Sequence, residues 1–136
     1  MIFRAPLLIR FAHCDPAGIV FYPRYFEMLN GVVEDWCAQG LGMDFHQMHV
    51  VQQFGLPTVR LETDFVQPSM LGETLEAQLR VVRIGSSSVE LAVQFVGPNN
   101  SVRMKIRQVL VWMDLQQHKA VPLPATLRAR IEPFIE

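Results

Sequence analysis

RFAHCDPAGIVFYPRY, residues 10–25, leaves an alternating apolar segment, crosses the turn Asp15-Pro16-Ala17-Gly18 and enters a helical pattern at Pro23. Upstream, Leu7, Ile9 and Phe11 share one side of a period-two pattern, which predicts a first strand over residues 7–11. Downstream, Tyr25, Phe26, Leu29, Val32, Val33 and Trp36 recur three or four residues apart. That spacing predicts a helix from Pro23 to Gly40 with one broad apolar face, on which Phe26, Met28, Leu29 and Trp36 are core residues. Pro23 suits a first helical turn, where its missing N–H has no intrahelical partner. Gly40 is a natural stop. Gly31, in mid-helix, costs about 1 kcal/mol relative to alanine. Residues 43–50 add a short helical turn.

Beyond residue 55 the period drops to two. Val59, Leu61, Thr63 and Phe65 alternate with Thr58, Arg60, Glu62 and Asp64. The same alternation runs through Leu75–Val82, Val89–Phe95 and Val102–Trp112, with turns at Gly72, Gly85-Ser86 and Gly97-Pro98-Asn99-Asn100. Four strands joined by short turns imply antiparallel pairing with one apolar and one wet face. Residues 124–134 form a short last helix. One strand, one helix and four strands make an α+β layout, and the simplest way to bury both apolar faces is to wrap a five-stranded antiparallel sheet around the helix.

Composition bounds the possibilities. The 136 residues fit one domain, 1–136, and 50% apolar against 18% charged residues is too apolar for disorder. No apolar run reaches the ~18 residues that span a bilayer. Arg4, Pro6 and Arg10 interrupt the first twelve residues, so the expectation is a cytoplasmic chain with no secretory signal and no membrane partner. A net charge of −1 gives no overall field for nucleic acid. Cys14 and Cys37 make neither a disulfide framework nor a zinc pattern and read as reduced thiols.

Asp15 is the sole carboxylate in the first 26 residues, and it precedes a helix start. Free N–H groups and a partial positive charge at a helix N-terminus can polarise a carbonyl and stabilise an oxyanion. With Pro23 lacking an N–H, the donors fall to Tyr22 and its neighbours. A carboxylate beside such a carbonyl is a candidate nucleophile or general base. The same residue before Pro16 also suits an Asx turn with no chemistry. Local physics leaves both readings open.

Residues 10–29, which contain HCDPAGIVFYPRYFEML, closely resemble the signature of hotdog-fold acyl-CoA thioesterases. The nearest branch is the 4-hydroxybenzoyl-CoA thioesterase type, whose motif reads Asp-Cys-Asp-Pro-Ala-Gly-Ile-Val-(aromatic)-Tyr-Pro-x-Tyr. The resemblance implies the hotdog fold, an acyl-CoA substrate, no metal, and no cofactor, since CoA is part of the substrate. It also implies homodimers or homotetramers with active sites at the subunit interface. By position it makes Asp15 the catalytic aspartate and Tyr22 the residue whose backbone N–H polarises the thioester carbonyl. Gly18 and Phe21 then line the turn, with Phe21 against the acyl pocket. Two departures stand out. His13 replaces an acidic residue, where it orients Asp15, contacts substrate or is merely a surface residue. Arg83 with the Ser86-Ser87 turn replaces a basic cluster that holds the nucleotide phosphates, and the turn's amides offer an anion nest instead.

Other groupings are weaker. Arg103, Lys105 and Arg107 share one side of a strand, either as a phosphate-binding stripe or as a solvated face paired with acids such as Glu90. Thr58 and Arg60 follow Pro57 where a neighbouring protomer would contribute to the site. His46 and His49 lack a nearby third metal ligand. Ser86–Ser88 lacks a nucleophile elbow. Glu27 and Glu34 face water or a partner. The expected activity is thioester hydrolysis on small acyl-CoAs, an aromatic acyl group leading. The rivals are a non-catalytic acyl-CoA-binding module and a hotdog hydratase or dehydratase.

Overall fold

The helix at residue 23 is built as the apolar spacing requires. In the computed structural model, which describes residues 1–136, α1 runs Pro23–Asp35 and continues through a wider π turn, Trp36–Gly40, as an 18-residue rod. Tyr25, Met28, Leu29, Val32, Val33 and Trp36 are buried on one face, and Phe26 is half-buried. The π turn closes on Leu41 N–H, which donates to Trp36 C=O at 3.0 Å. Gly40 is required here by space: a Cβ would stand 2.8 Å from Trp36 Cδ1 and 3.0 Å from Phe134 Cζ.

Five antiparallel strands wrap that rod in the order β1-β4-β5-β6-β3. They are β1 Phe3–Leu8, β3 Thr58–Phe65, β4 Thr74–Ile84, β5 Ser88–Gly97 and β6 Ser101–Val111. Short pieces, β2 Phe54–Gly55, β7 Met113–Asp114 and β8 Lys119–Ala120, form a small second sheet. A π turn His46–Val51 precedes β2, and α2, Ala125–Ile131, closes the chain. The predicted inner rows of β4, β5 and β6 are the core: Leu75, Ala77, Leu79 and Val81 pack beside Val89, Leu91, Val93, Phe95, Met104, Ile106 and Leu110. This is the hotdog arrangement expected from the sequence. No helix is long and apolar enough to cross a membrane.

Three expectations are corrected. The first strand covers residues 3–8 rather than 7–11, because the chain tightens into a 3-10 turn at Phe11–His13 that leaves Phe11 84% exposed. In strand β3 a bulge between Thr58 and Arg60 turns Thr58 onto the inner row with Leu61, Thr63 and Phe65 instead of the opposite side the alternation predicts, and the strand is the sheet's edge. Val59, Leu61 and Phe65 are therefore 59%, 40% and 53% exposed.

The third concerns the basic stripe. Arg107 bonds Glu90 at 3.2 Å and Lys105 is open to solvent, but Arg103 is only 7% exposed. A loop folds over its end of β6, and its guanidinium forms a two-pronged pair with Glu73 at 2.9 and 2.8 Å. Those hydrogen bonds, with one from Met70 N–H, hold the Glu73 carboxyl down at about 2, while burial opposes them. A carboxyl depressed from 4.5 adds stability that is complete above that value and is lost as pH falls toward 2.

Two outcomes follow from this packing. Gly40→Ala is expected to destabilise the fold by about 1–3 kcal/mol through overpacking against Trp36, read by thermal or urea unfolding. Glu73→Gln is expected to cost about 1–2 kcal/mol at neutral pH, solvent screening at the pair's rim keeping the figure modest. The gap between wild type and variant should close in unfolding curves taken from pH 5 down to about 2.

Candidate active site

The motif folds back on itself. Phe21 N–H donates to His13 C=O at 2.9 Å, and Asp15 N–H donates to Ile19 C=O at 3.0 Å, with Cys14 opposite Val20 between them. Inside this narrow ladder Gly18 takes φ +80, a left-handed conformation, and its N–H donates to Asp15 C=O at 2.9 Å. Asp15 Oδ1 accepts Ala17 N–H at 2.8 Å, so the Asx turn is present. Its other carboxylate oxygen accepts no hydrogen bond from the chain, and the residue is half-buried. The Asx turn fixes one oxygen and leaves the second available, so the two sequence readings of Asp15 coexist.

The ladder ends where α1 begins. Tyr22 is the N-cap, in helical conformation with no side-chain cap, and Pro23 follows at the first helical position. Arg24 and Tyr25 N–H bond back to Phe21 and Tyr22 C=O, whereas the Tyr22 N–H donates to nothing in the chain. A free amide at a helix start, two backbone pairings from a carboxylate, is a donor set for an oxyanion. His13 Nδ1 accepts the Arg10 N–H at 2.9 Å, which ties the imidazole to its own turn. The rings of Phe21 and Tyr22 lie edge to face at 5.7 Å, and Tyr22, Tyr25 and Phe26 all pack on Phe65 at 6.2–6.3 Å. Phe65 was not singled out from the sequence; as one more apolar residue of an alternating strand it carried no distinguishing signal.

The other predicted residues stand elsewhere. Phe65 pairs with Met104 near the motif, while Thr58, at the start of β3, pairs with Leu110 at the far end of the sheet. Leu110 faces Val89, and Val89 faces Ile84, so Arg83 and the Ser86-Ser87 turn share that far end. Eight residues of β3 separate the two ends, about 25 Å. Arg60 pairs with Glu62 on the open strand, and Arg83 lies 4.0 Å from Glu90. Ser86 and Ser87 offer C=O groups to Leu123 and Trp112 N–H, and their own amides have no acceptor in the chain. The chain thus brings together His13, Asp15, Gly18, Phe21 and Tyr22, and keeps Thr58, Arg60, Arg83, Ser86 and Ser87 apart from them.

That far end holds a cavity of about 400 Å³ between α1, β3 and β6, lined in part by Asn30, Phe45, His49, Thr58 and Gln108. Gln108 is 4% exposed; its Nε2 donates to Thr58 Oγ1 at 2.9 Å, and its Oε1 is buried without a partner. His49 Nδ1 donates to Phe45 C=O at 2.9 Å, which leaves Nε2 as an acceptor. A polar residue on the inner row of β6 was the available signal for this cavity, and the sequence reading passed over it. A larger hollow of about 870 Å³ lies on the outer face of the sheet among Asp64, Arg80, Lys105 and Arg107, and contains no motif residue.

The fold and this turn together define a class, the hotdog thioesterases, and comparison with known proteins agrees. The family model of the thioesterase-like superfamily matches residues 9–131, and the chain belongs to that family. A 1,4-dihydroxy-2-naphthoyl-CoA hydrolase of Crocosphaera subtropica is 24% identical over 68% of this chain and 66% of its own length. The 4-hydroxybenzoyl-CoA thioesterase of a Pseudomonas species is 26% identical over 86% of this chain and 88% of that one. A solved thioesterase superfamily structure from Jannaschia superimposes with a TM-score of 0.90 at 25% identity, covering 98% of this chain and 93% of that one. The resemblance read from residues 10–29 is thereby the chain's family, and the chain is a thioesterase.

Gly18 gives the turn its simplest test. An added Cβ would meet nothing within 4 Å, so Gly18→Ala isolates the left-handed backbone conformation. Its expected cost is about 1 kcal/mol in unfolding measurements, accompanied by reduced turnover.

Proposed function

We propose that this thioesterase hydrolyses the thioester of small acyl-CoAs to the free acid and CoA, with an aromatic acyl group such as hydroxybenzoyl as the leading substrate. The carrying observation is the pairing of a carboxylate with one uncommitted oxygen and a helix-start amide with no acceptor, both set by the same backbone ladder. The Tyr22 N–H polarises the thioester carbonyl and takes up the charge that develops on its oxygen. Asp15 attacks the carbonyl carbon, or removes a proton from the water that does, and the CoA thiolate leaves. In the nucleophilic route the resulting anhydride is then split by water. His13, Gly18 and Phe21 line the approach. The names of the curated relatives, an aryl-CoA hydrolase and an aryl-CoA thioesterase, support this substrate class.

The two-ended distribution of residues supports an assembly as well. In this reading the chain is one hotdog domain, residues 1–136, that pairs through its exposed apolar edge strand β3 into a dimer, and dimers pair into a tetramer. Antiparallel pairing of two edge strands lays the start of one beside the end of the other. That brings the cavity, Thr58 and Arg60 of one protomer against Asp15 and Tyr22 of its partner, with Arg83, Ser86 and Ser87 at the same rim for the CoA phosphates. The cavity's apolar walls and the unpartnered Gln108 Oε1 suit a ring bearing a hydroxyl donor. The enzyme works without cofactor or metal and in the cytoplasm.

Asp15→Asn is expected to lower turnover of a good aryl-CoA by at least ~10²-fold while binding persists, measured as free-thiol release across a panel of aryl- and alkyl-CoAs. Full activity in that variant removes Asp15 from the chemistry. Binding without thiol release from any member of the panel points to a carrier module. Water added to an enoyl-CoA with the thioester intact points to a hydratase.

A further inference from the structure

The Asp15 turn is suspended from another loop, and that loop is held by one buried cation. Residues 66–73 join β3 to β4. Gly72 N–H donates to Ile9 C=O at 2.9 Å, and Ile9 N–H donates to Glu73 C=O at 2.8 Å, which fixes the chain ahead of the motif. Val20 N–H donates to Ser69 C=O at 3.0 Å and Leu71 N–H to Gly18 C=O at 3.3 Å, which fixes the chain behind Asp15. Both flanks of the turn therefore depend on where residues 69–73 lie.

Arg103 decides where they lie. Its Nη1 donates to Glu73 Oε1 at 2.9 Å, Pro68 C=O at 3.1 Å and Ser69 Oγ at 3.2 Å, and its Nη2 to Glu73 Oε2 at 2.8 Å. Its Nε donates to Ser101 Oγ at 3.1 Å, and its own C=O accepts the Val66 and Gln67 N–H groups. Glu73 in turn accepts Met70 N–H at 2.7 Å. Gly97 makes the room: a Cβ there would sit 2.6 Å from Arg103 Nη2. A buried ion pair is a poor source of stability, since apolar side chains of similar volume hold a fold together as well or better. What the planar fork supplies is geometry, with both terminal nitrogens committed to residues 68–73 and Nε tied to its own strand at Ser101.

We propose that the Arg103–Glu73 pair is a positioning device for catalysis: it fixes the 66–73 loop and, through that loop's bonds to Ile9, Gly18 and Val20, the placement of the Asp15 carboxylate. The proposal rests on the assignment of Asp15 to the chemistry. Arg103 and Glu73 are positioning residues and touch no substrate.

A double-mutant cycle on the full chain tests it, with 4-hydroxybenzoyl-CoA or benzoyl-CoA, whichever turns over faster, as probe and free-thiol release as readout. Arg103→Met, assayed well below its melting temperature, is expected to lower kcat at least ~10-fold with KM within ~3-fold of wild type. In an Asp15→Asn background the same change is expected to alter the residual rate by less than ~2-fold, because the group it positions is already gone. A folded Arg103→Met enzyme with kcat within ~2-fold of wild type overturns the proposal. So does a loss that multiplies undiminished with that of Asp15→Asn. Glu73→Gln keeps the side-chain volume and serves under the same criteria if Arg103→Met does not fold. Asp15→Asn with wild-type turnover overturns the assignment of Asp15 itself, whatever Arg103→Met does.

Discussion

A carboxylate proposed to react is useful only if it cannot wander, and the restraint on Asp15 is main-chain pairing. The hydrogen bonds from Phe21 to His13 and from Asp15 to Ile19 bring the end of the first strand back onto the start of the helix. Neither needs a particular side chain, but the geometry between them does: Asp15 caps its own turn, Gly18 takes a left-handed conformation, and Pro23 lets the helix start without an N–H. The Tyr22 amide is left free because the first N–H groups of a helix have no intrahelical partner. Removing that pairing would leave an ordinary surface acid beside an ordinary helix.

Much of this was legible before any coordinates. The three-and-four spacing of α1 and the alternation of β4, β5 and β6 report which side of an element faces the core, and those sides are the buried ones. Alternation does not report whether anything covers that side, which is why β3 reads like its neighbours and yet lies open. Phe11 failed for another reason: a turn needed to swing His13 and Asp15 into place overrode a strand pattern only five residues long. Arg103 looked like one of three equivalent cations because its partner sits 30 residues away on a loop. The cavity beneath Asn30 and Gln108 was illegible for a related reason, as its walls come from a helix, a π turn and four strands that only the folded chain brings together.

In the proposed function the sheet separates chemistry from recognition along its length. One end carries an unpaired helix-start amide and an acid; the other carries a slot with buried polar atoms and a turn with spare amides. The strand between them touches both: Phe65 packs on Tyr22, Tyr25 and Phe26 at one end, and Thr58 accepts from Gln108 at the other. Its exposed Val59, Leu61 and Phe65 are the surface that the proposed pairing of two edge strands would cover.

The turn's suspension from residues 66–73 also governs how the molecule comes into being. Ile9, Val20, Ser69 and Arg103 lie in four stretches of sequence that meet only after β1, β4 and β6 are all in register. No fragment of the chain, and no partly made sheet, contains the arrangement. The turn's placement is therefore a property of the completed sheet and not of its own stretch of sequence, because every bond that suspends it is long-range.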